Sequence, residues 1–110
     1  MWFICLRSAL QPREQWTTTV DEHLAWMQTQ HEAGSIVMSG PGKTPAGDRV
    51  GIYLIHAESR AAAERIAAGD PFTVAGHATF DLIDWEVHQI MGAGPFTSTG
   101  LRSPGIGGAR

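Results

Sequence analysis

His23 and Asp70 are far apart in the chain, yet they are the residue types that a general base and its orienting carboxylate require. His23 opens the stretch HLAWM, early in a segment with helical spacing and beside Leu24 on its inward side. A neutral imidazole is the form a general base needs near pH 7. Asp70 belongs to AAGDPFTVAG, where an alanine-rich run ends at Gly69 and Pro71 follows at once. Glycine closes a helix in the left-handed conformation, and proline beyond it cannot continue the turn. A carboxylate at that end faces the negative pole of the helix, so it needs a partner or a local reason to be there. Two readings stand for each residue. Asp70 is a turn residue or half of a pair, and His23 is that pair's base or a histidine bonded to a backbone carbonyl.

Other chemistries find less support. Gly42-Lys43-Thr44 lacks the glycine that a phosphate loop carries five positions before its Gly-Lys, since Val37 stands there, and it leads into a strand rather than a helix. His23 and His31 share one helix but lie roughly 12 Å apart along it, too far to grip one metal ion. His56, His77 and His88 have no paired spacing, so no metal site is expected. Cys5, mid-strand between hydrophobic neighbours, reads as a small buried side chain rather than a nucleophile. Ser39-Gly40-Pro41 precedes a polar loop and a strand, which is not the setting of a nucleophile elbow.

The elements that must position these side chains follow from periodicity. Residues 2–8 read as a first strand, 18–33 as a long helix with Val20, Leu24, Met27 and His31 on one face, and 35–39 as a second strand entering the loop GPGKTPAGD. Residues 49–56 alternate as a third strand, and Ser59 is placed to cap a helix over 60–68. Residues 78–90 close the series as a fourth strand. The order βαββαβ predicts an α+β, ferredoxin-like plait.

At 110 residues, with 43% hydrophobic and 17% charged residues, the chain has the size and composition of one globular domain. A net charge of -3 with no basic block argues against nucleic acid. The apolar start MWFICLRSAL is too short to span a membrane. A single cysteine fits a reducing cytoplasm. Beyond residue 91 the composition turns to Gly, Ser, Thr and Pro. Residues 92–110 therefore read as a flexible tail or as an arm laid on a partner subunit through Phe96, Leu101 and Ile106. The strands are apolar on both faces, more than two helices can cover, so a homodimer with its sheets face to face is expected.

HLAWM at 23–27, SGPG at 39–42, ESRAAAERIAAGDPF at 58–72 and the closing Asp84-Trp85 together resemble the YciI-like (YCII-related) family. The resemblance covers roughly residues 1–90. It implies a dimeric α/β barrel and a His–Asp dyad, which matches onto His23 and Asp70. It also implies cofactor-independent proton transfer, elimination or isomerisation, on a small cyclic or aromatic molecule. One relative in that family eliminates chloride from a chlorinated hydroxyquinol. Trp26, Tyr53, Phe72 and Trp85 are then candidates for the pocket wall, with Ser39, Gly40 and Pro41 at its mouth. Many members carry an arginine three residues before the histidine, where this chain has Val20, so what that arginine holds is either absent or served by Arg7, Arg13 or Lys43. A small-ligand-binding or accessory protein that uses the same pocket without turnover is the competing class.

Overall fold

The computed structural model describes residues 1–89, so the expected tail at 92–110 lies outside the described residues. Four strands, β1 (Trp2–Ala9), β2 (Ile36–Lys43), β3 (Arg49–His56) and β4 (Ala78–Trp85), form one antiparallel sheet in the order β2-β3-β1-β4. Helices α1 (Val20–Ala33) and α2 (Arg60–Ala68) connect them in the expected alternation, and a one-turn helix α3 (Pro71–Val74) follows α2. A short 3-10 turn, Arg13–Trp16, precedes α1.

Local chemistry accounts for the boundaries. Ser59 caps α2 by accepting a hydrogen bond from the Ala62 N–H at 3.1 Å. Gly34 closes α1 at φ 76°, a left-handed conformation suited to a residue without Cβ. Gly69 does not do the same. Its φ is -80°, an ordinary right-handed value, and a Cβ there would meet the Trp26 indole nitrogen at 3.4 Å, an ordinary contact.

Two strand limits differ from the sequence expectation by more than one residue. β2 runs on through Gly40-Pro41-Gly42 to Lys43, pairing Pro41 with Gly51 and Lys43 with Arg49. Proline is tolerated because β2 is an edge strand. The turn shrinks to 44–48, with Gly47 at φ 93°. At the other end, β4 stops at Trp85 rather than residue 90, because 86–89 form no ladder with β1, which already ends at Trp2.

Alternation sorts the side chains by face. Phe3, Cys5, Ile36, Tyr53, Ile55 and Leu82 point toward the helices and form the core with Ala63 and Ala67 of α2. Burial, helped by the nearby Asp70 charge, pushes the Cys5 thiol up to about 12, which suits a packing role rather than nucleophilic chemistry. The opposite face carries Ile4, Met38, Ile52, Ile83 and Trp85, of which Met38 is 66% and Trp85 45% exposed. α1 buries none of its residues, and Leu24 is 59% exposed. Trp26 and Met27 pack against the edge of the core, and Val20, Leu24 and Met27 line an open cleft. Among the described residues no helix is long and apolar enough to cross a membrane.

Candidate functional site

The cleft lies between α1 and the sheet, is open to solvent on one side, and has a volume of about 750 Å³. The 3-10 turn closes one end with Trp16, and β2 and β3 form the far wall. Asp70 sits at its base and is 0% exposed. The α2 terminus does not hold this carboxylate against the dipole. Asp70 is the N-cap of α3, with Pro71 at the first helical position, and its Oδ1 accepts from the Phe72 N–H at 3.0 Å.

The same carboxylate gathers three side chains. His23 Nδ1 lies 2.9 Å from Oδ1. Arg7 Nη1 donates to Oδ2 at 3.1 Å, and the Tyr53 hydroxyl donates to Oδ2 while accepting from Arg7. Burial alone would raise the Asp70 pKa. The hydrogen bonds from His23, Tyr53 and the Phe72 N–H outweigh it and hold the carboxyl below its usual value. Burial and the bond to Asp70 push the Tyr53 hydroxyl well above the ordinary tyrosine range, so it serves as a donor. An ionised Asp70 requires the proton of His23 on Nδ1. The other ring nitrogen, Nε2, has no hydrogen bond among the described residues, and His23 lines the cleft.

Strand register delivers Arg7. It shares the helix-side parity of Phe3 and Cys5 and stands opposite Gly51. Its guanidinium packs on the rings of Phe72 (4.9 Å), Trp16 (5.6 Å) and Tyr53 (5.6 Å). His23 stacks on the same Phe72 ring at 4.3 Å. A Cβ on Gly51 would lie 2.8 Å from Arg7 Cζ and Nη2. Gly51→Ala is therefore expected to displace the guanidinium and lower stability by about 1–3 kcal/mol, the usual cost of overpacking. Urea midpoints for the variant and the parent measure this.

The residues singled out from sequence fall on two hollows. Arg7, His23, Ser39, Gly40, Pro41, Tyr53 and Phe72 line the cleft around Asp70, and Ser39, Gly40, Pro41 and Tyr53 also border a second hollow. Trp26 packs behind the cleft, its ring 6.1 Å from Tyr53 and beside Gly69. Trp85 is on the other side of the sheet, because it pairs with Trp2 and points away from the helices. There it lines the second hollow, of about 530 Å³, with Trp2, Met38 and Leu54. It is not a wall of the cleft. Val20, three residues before His23, lines the cleft. The cation beside Asp70 is Arg7. Lys43, the other alternative whose side chain is described, is exposed on the β2 edge.

Trp16 and Gly51 were not anticipated. A glycine inside an alternating strand does signal close approach by another group. Trp16 gave no usable periodic signal. Among the described residues no group of His, Cys, Asp and Glu could hold a metal ion.

A family model for the YCII-related domain matches residues 1–86. The chain belongs to the YCII-related family. Among solved structures, this YCII-related chain is similar to 5-chloro-2-hydroxyhydroquinone dehydrochlorinase from Burkholderia phenoliruptrix, in complex with 2,5-dihydroxybenzoquinone. The match has a TM-score of 0.61 and 22% identity, covering 77% of this chain and 93% of that one. At that identity the likeness establishes the fold. No curated protein matches the chain.

Proposed function

We propose that this YCII-related protein catalyses cofactor-independent proton transfer on a small cyclic or aromatic molecule, as an elimination such as dehydrohalogenation or as an isomerisation. The observation that carries the reading is the 2.9 Å contact of His23 Nδ1 with a buried, ionised Asp70, beside a cleft lined by His23 itself. Donating Nδ1–H to Asp70 places the basic lone pair on Nε2. That nitrogen takes a proton from the substrate, and the electron pair moves into the ring system. In an elimination a leaving group departs with its pair. In an isomerisation the imidazolium returns the proton at another position. Asp70 orients the ring and stabilises the imidazolium in the interval. Arg7 faces the negative charge that develops on a substrate oxygen. Phe72, Trp16 and Tyr53 give the aromatic setting a flat substrate fits.

The solved structure of the dehydrochlorinase holds 2,5-dihydroxybenzoquinone, which supports assaying that chemistry first. The test is chloride release from 5-chloro-2-hydroxyhydroquinone under nitrogen. Release by the parent above the buffer rate is expected. No release from this or from related halogenated quinols would overturn the elimination reading.

The same proposal includes a homodimer. The open sheet face exposes Met38, Ile52, Ile83 and Trp85 together, an apolar surface that a second copy packed sheet to sheet would cover. Light scattering at micromolar concentration is expected to give twice the chain mass, falling to one chain mass for Ile83→Asp. A parent that is monomeric under those conditions contradicts the dimer.

A further inference from the structure

We infer that the cleft takes a ligand longer than one ring, whose far polar end is read by Ser39 and His31. This rests on the proposed function for the near end, at His23, and adds a second station at the other. His31 Nε2 lies 2.9 Å from Ser39 Oγ, and Ser39 lines the cleft. Eight residues of α1 separate His23 from His31, which is roughly 12 Å along the axis. At 3.6 residues per turn, His23, Met27, Val20, His31 and Leu24 fall within an arc of roughly 100°. One helix face therefore presents a polar group near each end and apolar side chains between them. Val20, Leu24 and Met27 line the cleft, and Pro41 and Val50 lie across from them.

The volume points the same way. About 750 Å³ is in the range of sites that hold drug-sized molecules, whereas a single hydroxylated ring would leave most of it to water. The ligand class this selects is an elongated aromatic or alicyclic molecule. It carries its labile proton and oxygen at one end, an apolar middle, and a hydroxyl or carbonyl at the other. The Ser39 hydroxyl can donate to that group or accept from it, and His31 holds the hydroxyl in place. A purely structural role, tying the last turn of α1 to the β2 edge, would affect stability without affecting which ligand is preferred.

A pair of probes separates these roles: 4,4′-dihydroxybiphenyl, with hydroxyls at both ends, and 4-hydroxybiphenyl, with one. Quenching of tryptophan fluorescence gives the affinity of each. The parent is expected to prefer the diol by about fivefold, the worth of one net hydrogen bond. In Ser39→Ala and His31→Ala that preference is expected to vanish. Equal affinities in the parent, or a preference surviving in Ser39→Ala, would overturn the second station. His23→Ala bears on the near end instead: it is expected to leave the ratio of the two affinities at the parent value. That ratio tests this inference, while chloride release tests the proposed function.

Discussion

Asp70→Ala is expected to lower the unfolding free energy by about 3–5 kcal/mol, the cost of removing one member of a buried ionic network. The carboxylate accepts from Arg7, His23, Tyr53 and the Phe72 N–H, so its loss leaves the guanidinium and the hydroxyl without their shared acceptor. It also removes the cap of α3. Against a total stability of about 5–15 kcal/mol for a domain, the alanine variant sits close to unfolding. Asp70→Asn keeps a capping oxygen but not the charge, and it gives a readable pH dependence. Folding lowers the Asp70 pKa, so the ionised group stabilises the native state fully above the ordinary aspartate value of about 4. That stabilisation disappears as pH falls through the lowered native value. Urea midpoints of parent and Asp70→Asn are therefore expected to differ most near neutrality and to converge below about pH 4. A constant gap across that range would contradict a charge-based role.

His23→Ala is the second large effect. Removing a positioned general base costs typically 10²–10⁴ in rate. In the proposed reaction Nε2 acts on the proton in flight, so kcat and kcat/KM are expected to fall together in the chloride-release assay, with KM little changed. A rise in KM at unchanged kcat would mark His23 as a binding residue only. Stability should change far less than in Asp70→Ala, since Asp70 keeps Tyr53, Arg7 and the Phe72 N–H.

Much of the frame was legible in the residues because it depends on local rules. The alternation in β1, β3 and β4, the Ser59 cap and the Gly34 stop each follow from a few adjacent side chains. His23 and Asp70 were legible as residue types, and their pairing came from the family resemblance, because spacing along the chain says nothing about approach across it. The second role of Asp70, as cap of a helix only one turn long, was hidden. Pro71–Val74 is too short to show a period, and Gly69-Asp70-Pro71 looks like a simple stop. The alternation in β4 did separate Ile83 and Trp85 from Phe80 and Leu82. Which set faced the helices was decided only by the pairing of Leu82 with Cys5. Arg7 joined the site by the same parity. The apolar face of α1 serves both core and cleft, with Met27 packed on the core and Leu24 lining the cleft, since amphipathicity reports an apolar surface without saying what fills it.

The most direct test of proton transfer at His23 needs no leaving group. The ring-proton signal of 2,5-dihydroxybenzoquinone in D2O can be followed by NMR with parent, with His23→Ala and with buffer alone. Loss of that signal faster with the parent than in buffer, and at the buffer rate with His23→Ala, is the expected result. A parent that does not accelerate exchange, or a His23→Ala variant that exchanges as fast as the parent, would contradict a general base at His23.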